Sequence, residues 1–437
     1  MSDRIPADRV AGYRGGVGRL LHVVMHGQEI AHLTSSRTGS AKLTYLPGAD
    51  AVTQGLSCSL PVLGVQYAGD RVTHWIGGLL PDRSEVLAGW RARFGLTRDD
   101  AYGLLWHVGE DVAGAARFVR PERMGVDDDP RDDEPLTDEA IGDRIRRLSA
   151  DAAVWGPSLG AGQFSLAGAQ AKFALAMTAN GWIEPSGARP TTHIFKPAIP
   201  DLTDQDLNEH LTMRLAFACG LTVAPTKVMA FDGARCLVVT RFDRRRTADG
   251  TWLRVHQEDS VQALGMAPRL KYEGHGGPAV RSVARLLRAN VTDGHAPADV
   301  ASFVDAIAFN WLVLGTDAHA RNYALLHHGR QSRLAPLYDL NSFLPFRSDR
   351  GSSLAMKVGL SEYDPDRVSA GDWAELARDC NLDAVEVLDR VRALAERLRS
   401  VAGQTLHAEE LSVWRSPLPG LLHDRLTTYI TRCVSRL

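Results

Sequence analysis

Near residue 256 the hydrophobic pattern of this chain changes its period, and few folds accommodate such a change. Upstream, short apolar runs end in tight-turn signals. Residues 172–178 (Lys-Phe-Ala-Leu-Ala-Met-Thr) read as a strand running into Asn180-Gly181, a pair suited to a two-residue hairpin turn. Residues 192–196 form a further strand, and strands over 226–231 and 235–241 flank Asp232-Gly233. One helix interrupts them. Leu207, Leu211, Leu215 and Ala218 recur at helical spacing over 206–219, and Gly220 suits the left-handed residue that ends a helix. Downstream the period is helical throughout. Phe303, Ile307, Trp311 and Leu314 form one stripe, and Val387, Val391, Leu394, Leu398 and Val401 another; their default meaning is core packing.

Ahead of this pair of units lies a third region. Residues 20–34 alternate as a hairpin does, and short strands then helices follow through Trp106. The run Asp127-Asp128-Asp129-Pro130-Arg131-Asp132-Asp133-Glu134-Pro135 is acidic and bounded by prolines, so it reads as a linker or exposed loop. Thr137 reads as a helix N-cap, with Asp138 and Glu139 favourably placed in the first turn. The expected division is a flexible N-terminus over 1–17, a subdomain over 18–125, the acidic linker over 126–136, a β-rich lobe over 137–255 and an all-helical lobe over 256–437.

Bulk properties exclude several classes. At 437 residues, 44% hydrophobic and 23% charged, the chain is an ordinary globular protein of two or three domains. The net charge of -2 gives no global reason to expect a nucleic-acid or membrane surface. Arg241, Arg244, Arg245 and Arg246 cluster locally, and read as a solvated surface ahead of a phosphate or nucleic-acid site. Cys58, Cys219, Cys236, Cys380 and Cys433 include no pair at metal-ligand spacing, and read as small apolar residues in a reducing compartment. With no apolar leader and no run of about 18 apolar residues, a cytoplasmic protein without a membrane span is expected.

The chemistry is concentrated after the 303–315 helix. Asp317 and Asn322 stand five residues apart in a polar loop. Phosphotransfer to a hydroxyl needs a carboxylate that accepts or orients the hydroxyl proton, and a neutral oxygen that can hold magnesium close by. The spacing alone is weak and equally suits a capped helix end. Asp339, 17 residues beyond Asn322 after Leu-Ala-Pro-Leu-Tyr, supplies a second hard oxygen ligand. His319 could orient Asp317, contact a phosphate or make a structural hydrogen bond. Upstream, Lys196 ends an apolar strand and Glu209 sits on the following helix, the pair a kinase uses to reach and steady the ATP phosphates. The small residues from Ser165 through Ala167, Gly168, Ala169 and Gln170 to Lys172 would let backbone amides approach phosphates. Thr240, Arg241, Phe242 and Asp243 stand where a kinase hinge would receive adenine, through backbone groups of Thr240 and Phe242; Phe242 could equally belong to the core.

These motifs, in this order, resemble those of HipA, the serine/threonine kinase toxin of bacterial HipA–HipB toxin–antitoxin pairs. The resemblance also takes in Thr73 to Asp82, Gly109 to Ala115, Asn208-Glu209, Gln257-Glu258-Asp259, Lys271-Tyr272-Glu273 and Gly276-Gly277-Pro278. It implies an α+β, two-lobed protein-kinase-like fold: a β-rich N-terminal lobe, an added N-terminal subdomain and an all-helical C-terminal lobe. It implies ATP and Mg2+, with Asp317 as catalytic base, Asn322 and Asp339 as magnesium ligands, Lys196 on ATP and Ser165 as an autophosphorylated serine. It further implies a HipB-like helix-turn-helix antitoxin, DNA only indirectly through that antitoxin, and a protein substrate such as an aminoacyl-tRNA synthetase. Two positions depart from the pattern: Ala171 stands where the family often has Glu, and Arg321 where it often has Lys. A small-molecule phosphotransferase and a non-catalytic co-repressor are the competing expectations.

Overall fold

The structure is a computed structural model that describes residues 20–36, 39–98, 100–125, 135–150, 165–185, 188–199, 202–346, 351–359 and 363–437. The N-terminus over 1–17 expected to be flexible, and residues 126–134 of the expected 126–136 linker, lie outside the described residues.

The first unit is built on β1 (Leu20–Met25), β2 (Gln28–Ser35), β3 (Ala41–Tyr45), β6 (Gln66–Ala68) and β7 (Arg117–Val119), in the sheet order β6-β3-β2-β1-β7. A small hairpin of β4 (Gly55–Ser57) and β5 (Leu60–Pro61) is tied to β3 through the Tyr45 hydroxyl, which donates to Leu60 O and accepts from the Leu56 amide; α1 (Asp70–Gly77) packs on β3 and β6, α3 (Ala101–Val108) on β7, and α2 (Ser84–Phe94) on α3. The β1–β2 register sets Leu21 opposite Leu33 and Val23 opposite Ala31, all fully buried. His22 pairs with His32 on the other face, as a period of two requires.

The β-rich lobe contains α4 (Asp138–Ala150), β8 (Phe173–Thr178), β9 (Gly181–Ile183), β10 (His193–Pro197), α5 (Gln205–Ala218), β11 (Thr226–Phe231) and β12 (Ala234–Thr240). Its strands pair in the order β11-β12-β10-β8-β9. Thr137 does cap α4, its hydroxyl accepting from the Ala140 amide at 3.1 Å. The sheet sorts its side chains between two cores. Along β12, Cys236 and Val238 face Phe173, Phe195 and the α4 residues Ile141 and Ile145, and this cluster runs on into the first unit. Leu237 and Val239 face Leu207 and Leu211 of α5, and that cluster runs on into the second lobe. The apolar core is therefore continuous across the 126–136 segment, and the first unit is packed onto the lobe.

The rest of the chain holds β13 (Arg244–Arg246), β14 (Trp252–Arg254), β15 (His256–Asp259), α6 (Ser260–Ala263), α7 (Val280–Asn290), α8 (Ala296–Leu312), β16 (Ala324–His328), β17 (Gln331–Leu334), α9 (Ala370–Asp379), α10 (Ala384–Leu406) and α11 (Leu418–Val434). Both helical stripes lie in one core, except that Val401 is half-buried and Ala402 takes the interior place. The two-lobed α+β arrangement stands, with one correction. The second lobe is not all-helical, because β15, β16 and β17 form a three-stranded antiparallel sheet. These strands are four or five residues long and rich in His, Gln and Glu, so they carry too little alternation to read as strands. No helix among the described residues is long and apolar enough to cross a membrane.

Candidate active site

A cleft of about 530 Å³ lies between the lobes. Lys196 projects from β10 on the face opposite Phe195, toward α5. Its Nζ donates to Glu209 Oε1 at 2.7 Å and to Asp339 Oδ1 at 2.8 Å. One ammonium thus ties strand, helix and the segment after β17 together, over a sequence gap that no local pattern bridges. Asp339 reaches this point with φ of 58°, in the left-handed region. The segment before it is pinned by a parallel bridge between Val223 and Leu337, in which the Leu337 amide donates to Thr222 O and the Ala224 amide to Leu337 O, each at 2.8 Å.

The Asp317 loop follows a break in helical geometry, with Leu314 at φ of 54°. Residues 320–322 form a single turn, and Asn322 Nδ2 donates to Asp317 O at 3.0 Å, so the two polar residues brace one another. Asp317 is exposed and accepts a hydrogen bond from the Tyr272 hydroxyl. His319 is buried at the loop's inner side, edge-on to Tyr272 with ring centroids 5.0 Å apart. Its Nδ1 has no hydrogen-bond partner among the described residues, and burial pushes its pKa down, against the pull of Asp317.

The small-residue segment folds over the cleft. Gly168 has φ of 110°, and a Cβ there would meet Lys172 Nζ at 2.6 Å. Lys172 Nζ donates to Ala167 O at 2.7 Å, and Gln170 Nε2 to Pro197 O at 3.0 Å. Burial, and then the nearby Lys196, push the Lys172 ammonium down to about 8. Burial works against ionisation of Asp339, but Lys196 and Lys172 outweigh it and hold the carboxylate below its usual range. Glu209, still more enclosed, is pushed up to about 7 by burial despite its bond to Lys196. Two ammonium groups, a strongly ionised aspartate and an amide oxygen in one cleft suit a polyphosphate and a hard divalent cation. The cation-capable set is Asn322 and Asp339, both oxygen donors.

Ala167, Gly168, Ala169, Gln170, Lys172, Lys196, Glu209, Thr240, Arg241, Phe242, Asp243, Asp317, His319, Asn322 and Asp339 all line the cleft. Ser165 does not. It is fully buried, its hydroxyl donating to Leu79 O at 2.7 Å and its amide to Asp111 O at 2.9 Å. The hinge segment also differs in detail from expectation. The Thr240 amide already donates to Pro225 O at 2.9 Å. Phe242 is half-buried and packs on Tyr338 with centroids 5.3 Å apart. Arg241 and Arg244 are not surface groups: they are buried in ion pairs with Asp111 and Asp243 of 2.7 to 3.5 Å, while Arg245 and Arg246 are exposed. Their guanidinium groups join the first unit to the β-rich lobe, so the side chains of Arg241 and Asp243 have a structural office at the rim of the cleft.

Several cleft residues carried no role in the sequence reading. Arg321 is buried and points away from Asp317. Its Nε donates to Asp259 Oδ2 at 2.8 Å, its Nη2 to Gly78 O at 2.7 Å, and its Nη1 to Asp82. Lys271 Nζ donates to the other oxygen of Asp82 at 2.8 Å. Asp82 and Asp317 lie more than two hundred residues apart, and only the motif from Thr73 to Asp82 hinted that this stretch mattered.

Two family descriptions match the chain: the HipA N-terminal domain over residues 21–119 and the HipA-like C-terminal domain over 164–402. Y4mE of Sinorhizobium fredii, named as a candidate kinase, is 34% identical over 89% of this chain and 92% of its own length. The serine/threonine-protein kinase toxin HipA of Shewanella oneidensis is 27% identical over 80% of this chain and 81% of its own. The solved complex of a Shewanella oneidensis HipA with HipB and operator DNA contains a chain of like fold. The TM-score is 0.80 at 24% identity, covering 95% of this chain and 97% of that one.

Proposed function

The chain belongs to the HipA family of protein kinases, and from that premise we propose that it is an ATP- and Mg2+-dependent serine/threonine kinase of toxin type. The observation that carries the proposal is the double ion pair of Lys196 with Glu209 and Asp339, set in one cleft with the Asp317–Asn322 loop. In this reading Lys196, steadied by Glu209, and Lys172 bind the phosphates under the 167–170 segment. Asn322 and Asp339 hold the magnesium that offsets charge on the transferring group. Asp317 accepts the proton of the acceptor hydroxyl, oriented by the hydroxyl of Tyr272. Adenine lies against the edge formed by Thr240 and Phe242.

Ser165 serves as an off-switch. Its hydroxyl is sealed against Leu79 O, so phosphorylation requires the segment to leave this position. A phosphate brings roughly -1.5 to -2 charges and cannot return to a fully buried site, so the cradle for ATP would stay open. The acceptor is a protein, with an aminoacyl-tRNA synthetase or another translation factor the leading class. A HipB-like antitoxin is the expected partner, supported by the fold shared with the chain solved with HipB and operator DNA; DNA contact would be indirect. The protein acts in the cytoplasm. Phosphoproteomes compared after brief expression of wild type and Asp317→Ala test this reading. Phosphoserine or phosphothreonine appearing on a translation protein only with wild type is expected. Equal phosphoproteomes, together with rapid ATP use on a small alcohol, would point instead to a small-molecule phosphotransferase.

A further inference from the structure

A second group of ligand-type side chains lies away from the cleft, where the first unit meets the sheet of the second lobe. Cys58 sits in the turn between β4 and β5, Glu258 on β15 and His327 on β16. The cysteine sulfur, a carboxylate oxygen and an imidazole nitrogen all lie within 4.8 Å of one another. Glu258 is fully buried. The Cys58 amide donates to its Oε1 at 2.7 Å, and His327 Nε2 approaches the same oxygen at 3.2 Å. The side chains of Cys58 and Ser57 also interact with the Glu258 carboxylate, yet neither Glu258 Oε2 nor His327 Nε2 has a hydrogen-bond partner of proper geometry among the described residues. Buried polar atoms are rarely left so, because the desolvation cost goes uncompensated.

The surroundings favour a metal ion. Ser332 Oγ lies 2.8 Å from His327 Nδ1, the outer hydrogen bond that orients a ligating imidazole with Nε2 toward its ion. The neighbouring His256 is already committed: its Nε2 donates to Leu56 O at 3.0 Å and its Nδ1 accepts from the Ala115 amide at 3.3 Å. It therefore fixes the first unit against β15 without competing for the ion. A rival trio, His22, Glu29 and His32, is weaker. It is half-exposed, and both imidazoles already bond the Glu29 oxygen at 2.5 and 2.8 Å.

We propose that Cys58, Glu258 and His327 bind a zinc-class divalent ion that clasps the first unit to the β15–β16 strands. Sulfur, nitrogen and carboxylate oxygen together are the donor set of zinc, with water completing a four-coordinate site. On binding, the Cys58 thiol gives its proton to solvent and its sulfur takes up the bond to the ion, with no change of oxidation state. Asp259, next to Glu258, holds Arg321 of the catalytic loop, so the clasp would steady the strand from which that loop is braced.

The full-length chain, reduced and stripped of metal by a chelator, is titrated with cobalt(II). One equivalent is expected to bind with an intense thiolate-to-cobalt absorption and the visible bands of four-coordinate cobalt, and zinc should displace it. The oxygen ligands of the catalytic cleft cannot produce the thiolate band. Cys58→Ser should abolish that band and weaken zinc binding at least tenfold, and zinc should raise the melting temperature of wild type but not of the variant. Should Cys58→Ser fail to fold, His327→Gln takes its place, with the same tenfold weakening expected. His22→Ala should titrate as wild type does. Absence of the thiolate band in wild type, or a titration unchanged by Cys58→Ser, overturns the proposal.

Discussion

At the scale of single residues, the cleft is a balance among a few charges. Lys172 is the cation whose charge is most easily lost, because burial and Lys196 push it down to about 8. It is protonated below that value and neutral above it. As a phosphate-binding group it should therefore make kcat/KM for ATP fall as pH rises through about 8. Lys172→Arg, which stays charged, should flatten that limb, and a pH profile of both enzymes checks this. That Asp317, Asn322, Asp339, Lys196 and Glu209 would meet in one cleft was readable from the sequence, because each sits at a fixed offset from a strand, helix or turn. Tyr272 and Arg321 were visible only as letters in a motif. Their work depends on which way each side chain leaves the backbone: Tyr272 toward Asp317, Arg321 away from it toward Asp82 and Asp259. No spacing encodes that direction. The cysteines show the same limit, since Cys58 meets Glu258 and His327 only through folding, although it has no sequence neighbour at ligand spacing.

At the scale of elements, the strands with strong alternation and the hairpins at Asn180-Gly181 and Asp232-Gly233 were legible, as were α5 and the long helices. The second-lobe sheet was not. Its strands are short and polar; β15 braces the 317–322 loop through Asp259, which accepts from Arg321, and β16 takes up the chain that leaves Asn322. The 165–172 segment was legible as small residues but not as a clamp on the first unit. That clamp runs through Gly168, whose carbonyl accepts from the Asp82 amide at 3.0 Å while its φ stays positive. Gly168→Ala would strain the backbone and push a methyl group into Lys172 Nζ. We expect KM for ATP to rise about tenfold, the equivalent of roughly 1.4 kcal/mol, together with a modest fall in the thermal midpoint from the backbone strain; steady-state kinetics beside a melting curve separates the two.

At the scale of the whole molecule, the first unit is built into the kinase body. It is joined by a continuous apolar core and by two polar clasps: Asp111 with Arg241, Arg244 and Arg254, and Asp82 with Arg321 and Lys271. Asp82→Asn leaves Arg321 and Lys271 without their shared anion, and should cost about 3 kcal/mol in denaturant unfolding. Burial opposes ionisation of Asp82, Asp111 and Asp243, yet the facing cations hold all three below the usual carboxylate range. Folded-state values lower than unfolded ones contribute stability that is present above about pH 4 and lost as pH falls below it. Urea midpoints measured from neutral pH downward should fall with acid, and less steeply in Asp82→Asn. None of this coupling was legible in the sequence, where an acidic run suggested that the first unit hangs on a linker. If the cleft between the lobes transfers phosphate from ATP to protein hydroxyls, label from γ-labelled ATP must move to an acceptor in the presence of Mg2+. Wild type should label serine or threonine on itself or on a lysate protein, and Asp317→Asn should lower that rate by at least about a hundredfold. No label from the wild-type protein on any acceptor, or equal labelling by Asp317→Asn, would contradict it.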